Sequence, residues 1–214
     1  MSFSGYRCWY GARSANLVIL NPCRVTTGMD TLPGYYIGID PGFDGAIAFY
    51  HPNADLIVYD MPCVETKFMK KATKGPHKGK MRPSTRRETD LVEARRIIQG
   101  HPTDHAYIEW VAAGKQQGAT SMFRFGEGFG EMKGILVCTC EFTKVKPQKW
   151  KKYFGLSSDK KESLELARDL FPNNLDLFKR VKDNGRAEAA LIAKYGWEQE
   201  DENNGRALAS HGSP

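Results

Sequence analysis

From Tyr35 onward the apolar positions come in short bursts. Tyr35–Asp40 and Ala46–Tyr50 are β-type runs separated by the turn Pro41-Gly42-Phe43-Asp44-Gly45. A third run, Leu56–Asp60, follows a turn at Pro52-Asn53, and three short runs joined by tight turns predict an antiparallel meander. The period then changes. Glu88–Gln99 sets Leu91, Ala94, Ile97 and Ile98 at helical spacing and stops at Gly100, ahead of Pro102. His105–Trp110 reads as a fourth strand, 119–136 as a helix, and Val137–Val145 as a further alternating strand. The helix at 119–136 carries Gly126, Gly128, Gly130 and Gly134. Glycine at that density costs helix stability, so its expected use is close backbone packing against the sheet or against DNA. Asp159–Phe171, capped by Ser158 or Asp159 and stopped by Pro172, and Gly185–Tyr195 predict two more helices. After Trp197 no folding signal remains. A meander followed by alternating helices and strands predicts an α/β fold with a mixed sheet.

Composition narrows the class. The chain has 214 residues, 41% hydrophobic and 26% charged, which suits one globular domain of ordinary size. No apolar run approaches the roughly 20 residues of a spanning helix, so no membrane partner is expected. Five cysteines, an odd number, are no disulfide scaffold and point to a reducing compartment. No Cys or His pairs stand at zinc-finger spacing, so a zinc site is not expected.

Charge changes the picture more. The formal +6 hides nine basic residues between Lys67 and Arg87 without one acid, and three more in residues 1–28; together they leave the remainder of the chain at −6. The segment 67–87, rich in Lys, Gly and Pro, is expected as a mobile basic loop. Residues 1–34 read as a disordered leader, 35–197 as the folded domain and 198–214 as a disordered tail. The Arg-containing, acid-free stretch 1–28 also suits an organelle transit peptide, or a segment upstream of a true start at Met29.

Four acids stand where chemistry is plausible. Asp40 ends an apolar strand and is followed at once by Pro-Gly; taken alone, it is equally a turn opener. Glu109 closes the strand Ala106–Trp110, where an exposed edge acid would be unremarkable. In Lys182-Asp183-Asn184-Gly185-Arg186-Ala187-Glu188, Asp183 sits at a helix entrance as a natural N-cap. Glu188 lies among Ala187, Ala189, Ala190 and Leu191, a face that reads as buried, and a buried carboxylate needs a compensating cation or donor. Adjacent parallel strands ending in acids, with a helix presenting two more, can converge on one pocket. Such a cluster repels itself unless hard divalent cations such as Mg2+ or Mn2+ occupy it. Two metals about 3.5–4 Å apart can activate water and stabilise the leaving oxygen of a phosphodiester.

These motifs carry a resemblance. Ile37-Gly38-Ile39-Asp40-Pro41-Gly42 resembles the opening motif of RuvC-type Holliday junction resolvases of the ribonuclease H-like superfamily. Ile108-Glu109-Trp110-Val111, with Lys115-Gln116-Gln117-Gly118 and Ser121-Met122-Phe123-Arg124-Phe125-Gly126, is similar to the second-acid region of the phage and prophage branch. Lys146-Pro147-Gln148-Lys149-Trp150-Lys151-Lys152 with Gly155–Lys160 resembles that branch's basic turn, and Lys182–Glu188 its closing motif. The resemblance spans about residues 35–196. It implies a ribonuclease H-like mixed five-stranded sheet flanked by helices, and a Mg2+-dependent, structure-selective endonuclease with two cations per site, Mn2+ able to substitute. It implies a homodimer acting on four-way or otherwise branched DNA, virus-encoded and working in the cytoplasm of a bacterial host. By motif match Asp40, Glu109, Asp183 and Glu188 are the catalytic, metal-binding acids. The chain departs from bacterial RuvC in the five-residue spacing of its closing acids. It departs again in having Ala112, where those enzymes place an aromatic three residues after the second acid. Phe123 or Phe125 is the candidate replacement for stacking, or a core residue.

Lys70, Lys71, Lys74, Lys78, Lys80 and Arg82 of the basic segment, with Lys115, Lys146, Lys149 and Lys152, are the candidate DNA contacts. Trp150, between lysines, is either a core anchor or part of that patch. Two rival classes exist. A non-catalytic junction-binding protein of the same fold would be expected to lack an acid, and all four are present. An ATPase of the actin and sugar-kinase type would need a second glycine-rich phosphate loop, which the sequence does not have.

Overall fold

The computed structural model describes residues 34–110 and 118–210, with side chains as far as residue 202. The expected leader, apart from its last residue, and Lys115 lie outside the described residues, as do residues 211–214 of the tail.

Seven strands are described: β1 (Tyr35–Asp40), β2 (Ala46–Tyr50), β3 (Ile57–Asp60), β4 (Cys63–Lys71), β5 (Met81–Thr89), β6 (Thr103–Glu109) and β7 (Phe142–Val145). Five make one mixed sheet in the order β3-β2-β1-β6-β7. The meander β1-β2-β3 is antiparallel, while β6 joins β1, and β7 joins β6, in parallel. This is the mixed five-stranded sheet flanked by helices expected from the sequence.

Strand alternation divides the core in two. Ile37, Ile39, Ile47, Phe49, Ala106 and Ile108 face Ala94, Ile97 and Ile98 of α1 (Leu91–Gln99) and Met132 and Leu136 of α2 (Ala119–Val137). On the opposite side Ala46, Ala48 and Tyr107 meet α5 (Asn184–Ser210), with Trp150 of α3 (Pro147–Tyr153) and Leu164 and Ala167 of α4 (Lys160–Leu170). Each fully buried large apolar side chain contributes about 1.5–3 kcal/mol. Helix boundaries follow local chemistry: the Asp90 carboxylate accepts the Glu93 amide at the start of α1, and Asp159 accepts the Lys161 amide at the start of α4.

Two glycines set how α5 lies on the sheet. A Cβ at Gly38 would run into the Ala189 carbonyl and Ala193 amide, so the helix backbone rests directly on β1. A Cβ at Gly185 would meet the Asp44 carbonyl and the Gly45 backbone, pinning the start of α5 on the turn after Asp40.

Four expectations are corrected. The segment 67–87 is not a mobile loop: β4 and β5 pair in register from Cys63↔Thr89 to Lys71↔Met81, with Gly75 and Gly79 at positive φ in the tip. The ribbon is held by backbone hydrogen bonds and, apart from Cys63 at its base, β4 is exposed along its length, so no apolar alternation announced it. Packing against the sheet does not account for the α2 glycines: Gly126, Gly130 and Gly134 face open space, and only Gly128 of the four approaches another element, at Thr89. The strand expected over Val137–Val145 is confined to its second half, because α2 runs to Val137 and β7 starts at Phe142. The helix expected to stop at Tyr195 continues to Ser210. Trp197 packs edge-on against Tyr50, and the Tyr107 hydroxyl donates to Glu200 at 2.8 Å, contacts that extend the helix over the sheet. Among the described residues no helix is long and apolar enough to cross a membrane.

Candidate active site

Asp40 and Glu109 terminate the neighbouring parallel strands β1 and β6, each one step beyond the register pair Ile39↔Ile108. Alternation puts both on the side of the sheet that faces α5, with Gly38 and Tyr107. Glu188, in the first turns of α5, comes from the opposite wall between the buried Ala187 and Ala189. Glu109 is 8% exposed, Glu188 5%, and Asp40 is partly buried.

Burial and mutual repulsion govern this trio. The Asp40 carboxyl is pushed up to about 6, first by burial and then by Glu188; the Gly42 amide donating at 3.1 Å, and the charges of Lys160 and Lys151, pull the other way. Burial, followed by Asp40 and Glu188, pushes Glu109 up to about 7 against the opposing Trp150 indole and Lys151. The three acids thus share one electrostatic centre. Its closest countercharge is Lys151, whose ammonium sits 2.8 Å from Glu188 Oε1, with Lys160 acting on Asp40 as well. Trp150, 0% exposed, donates its indole Nε1–H to Glu109 Oε1 at 2.9 Å.

Asp183 belongs to a different constellation. It closes a 3-10 turn, Val181–Asp183, and is 3% exposed. Its carboxylate accepts the Arg180 backbone amide at 2.8 Å and that residue's guanidinium at 2.8 and 3.0 Å. Burial raises its pKa, but the Arg180 hydrogen bonds outweigh that and hold it below the ordinary carboxylate value. Its further charged neighbours are Arg186 and Asp60, themselves paired. The structure therefore brings together Asp40, Glu109 and Glu188, and leaves Asp183 engaged by arginine.

The donor set suits a hard divalent cation: two buried carboxylates and a partly buried third, against the ammonium groups of Lys151 and Lys160, are short of positive charge. Asp40, Glu109 and Glu188 are the residues that could hold one. Among the described residues no three His, Cys, Asp or Glu side chains stand at metal-holding distance, and Lys151 and Trp150 each engage one oxygen, Oε1, of Glu188 and Glu109.

Lys70, Lys71, Lys74, Lys78, Lys80 and Arg82 are all exposed on the β4–β5 ribbon, and Lys146, Lys149 and Lys152 are exposed at α3. Arg86 and Arg87 hold the ribbon's base instead. Arg87 donates to Asp44 at 2.8 Å and to the Phe43 carbonyl at 2.6 Å, while Arg86 pairs with Glu88 and Glu127. This ties the ribbon to the turn that follows Asp40.

Linear reading missed two features. Lys151 differs in no visible way from Lys149 or Lys152, and only the packing of α3 on α5 selects it for Glu188, 37 residues away. Trp110 did have a readable signal, since alternation turns it away from the buried face that Glu109 occupies. It is 43% exposed, and its ring is flanked by the ammonium groups of Lys144 and Lys146 at 5.2 and 5.3 Å. Phe123, expected to be core or a stacking residue, is largely exposed, and Phe125 is partly buried.

No protein-family model matches the chain. No curated protein matches it either. Solved structures do. The chain is similar to the Thermus thermophilus RuvC structure in complex with a Holliday junction substrate, at 13% identity and a TM-score of 0.45, over 75% of this chain and 91% of that one. A second Thermus thermophilus RuvC structure is similar at 12% identity and a TM-score of 0.44, over 78% of this chain and 96% of that one.

Proposed function

We propose that this protein is a metal-dependent, structure-selective DNA endonuclease that cuts branched DNA, including four-way junctions, by paired phosphodiester hydrolysis. The observation that carries the reading is the trio of Asp40 and Glu109, at the carboxyl ends of two parallel strands, and Glu188 of α5, the last two buried and the first partly so, beside a ribbon bearing exposed basic side chains. A centre that accumulates buried negative charge beside a basic arm suits a polyanion brought to cations. Bound there, divalent cations would supply Lewis-acid activation of water and stabilise the charge developing on the leaving oxygen.

The chain's own residues divide the remaining work. Asp40, Glu109 and Glu188 hold the cations, and the five-residue turn from Pro41 to Gly45 orients Asp40 through the Gly42 amide. Lys151 keeps Glu188 in place and supplies positive charge close to the phosphate path. The exposed lysines of the ribbon and of α3 engage flanking phosphates. Trp110, exposed next to Glu109, offers a ring face to a base or sugar. Symmetric nicks in a four-way junction call for two such sites, and hence for a homodimer.

The test is to incubate the full chain with a four-way junction, a flap and a linear duplex, in Mg2+ or in EDTA. Mg2+-dependent paired nicks on the junction, abolished in Asp40→Asn, are the expected result. Tight junction binding without cleavage would instead assign a structural, non-catalytic role. Preferential flap cutting would make the protein a debranching nuclease.

A further inference from the structure

We propose that Trp150 is a positioning residue of the acid centre: its buried indole N–H orients the Glu109 carboxylate for cation binding, an inference that rests on reading Asp40, Glu109 and Glu188 as the cation site. Trp150 and Glu109 are 41 residues apart and meet only because α3, which follows β7, folds back over the end of β6. Both partners of the 2.9 Å hydrogen bond are buried.

The chemistry of the donor matters. An indole N–H donates and never accepts, carries no charge and does not titrate in the working range. It therefore restrains one carboxylate oxygen while leaving the group its negative charge and its other lone pairs. An ammonium in the same place would neutralise the acid, and a hydroxyl would rotate.

The ring face has a second task. The Lys151 ammonium lies 5.1 Å from the Trp150 ring while holding Glu188 at 2.8 Å. One side chain thus fixes Glu109 by its edge and supports the cationic partner of Glu188 by its face. Trp150 is also fully enclosed in the core between the sheet and α5, so its ring has nowhere to swing. Lys151, on a flexible stem, can yield its place to an arriving cation, whereas Trp150 cannot. The arrangement keeps Glu109 in one orientation before and after the site fills.

A core tryptophan with no such role would be equally well served by any acceptor, so the test separates packing from hydrogen bonding. Trp150→Phe keeps a ring to fill the core and to face Lys151, but has no edge donor. Mn2+ is titrated calorimetrically into the metal-free full-length protein and the variant, with thermal melts in EDTA as the check on folding. The expected result is a folded variant whose Mn2+ affinity is lower by about 10–100-fold, the usual cost of losing a group that orients a metal ligand. A folded Trp150→Phe that binds Mn2+ as tightly as the parent overturns the role of Trp150 and leaves the cation site intact. A parent protein that binds no Mn2+ overturns both.

If the variant does not fold, the parent answers by itself. The Trp150 indole N–H resonance is assigned by elimination from Trp9→Phe, Trp110→Phe and Trp197→Phe. It is expected to shift saturably as Mg2+ is added. A resonance that stays put at saturating Mg2+ overturns the inference.

Discussion

Asp183 and Glu188 are separated by little more than one helical turn, yet each answers to a different partner. Glu188 faces Lys151 and shares its field with Asp40 and Glu109, while Asp183 is held by the backbone and guanidinium of Arg180. The Arg180 contact closes the turn that delivers the chain into α5, so its loss is a stability effect before it is a catalytic one. Arg180→Ala leaves a nearly fully buried carboxylate with a single backbone donor, and should cost about 1–3 kcal/mol. A thermal or urea melt reads this directly, and an unchanged midpoint would mean that Asp183 finds another donor. The local sequence marks Asp183 as a helix-entry acid and cannot say which cation answers it. That is decided by a side chain three residues back, curling towards it.

At the scale of elements, the β4–β5 ribbon and α5 do unlike jobs. The ribbon is a two-stranded arm with little core of its own, anchored at its base by Arg86 and Arg87 and charged along its length. Replacing Lys70, Lys71, Lys74, Lys78, Lys80 and Arg82 with Gln should leave the melting temperature nearly unchanged, because all six are exposed. DNA affinity should fall, and the slope of log K against log salt should flatten by about 0.9 for each duplex phosphate no longer neutralised. Fluorescence anisotropy at several salt concentrations measures it. A slope identical to that of the parent would remove the ribbon from the interface. By contrast, α5 lies across β1, β2 and β6 and carries Glu188 towards Asp40, with Gly38 and Gly185 permitting the close approach.

For the whole molecule, crowding three acids together away from water has a cost that depends on pH. Asp40 and Glu109 rise from ordinary values of 3.8 and 4.5 to about 6 and about 7. The folded state therefore holds these protons where an unfolded chain has already released them. Between about pH 4 and pH 7 the metal-free protein accordingly loses stability as pH rises. Asp60, held low first by its hydrogen bond from Arg186, and Asp183 work in the opposite sense. Their stabilisation is present above the ordinary carboxylate value and is lost as pH falls below it. Melts in EDTA should thus show a maximum on the acidic side of neutrality, with a decline towards pH 8 that Asp40→Asn reduces. Added Mg2+ should raise the midpoint more at pH 8 than at pH 5.5. A melting temperature that climbs steadily from pH 5 to pH 8 without metal would contradict the coupling of the trio.

The amino-acid sequence by itself determined the strands of the sheet, most helix positions, and three acids at the ends of elements. These depend on period, turn residues and caps, all of which act over a few neighbours. It also located the basic excess at 67–87, but could not show that the segment folds, since β4 and β5 are joined by backbone hydrogen bonds that no side-chain pattern announces. Nor could it show that α5 continues past Trp197, because Tyr50 and Tyr107, which receive the extension, are about 90 residues or more away in the chain. Tertiary structure alone decided that Asp40, Glu109 and Glu188 share one field, that Asp183 does not, and that Trp150 and Lys151 attend two different acids. Burial, electrostatic coupling and hydrogen-bond partnership are properties of distance in space, and only the folding of α3 and α5 onto the sheet creates those distances.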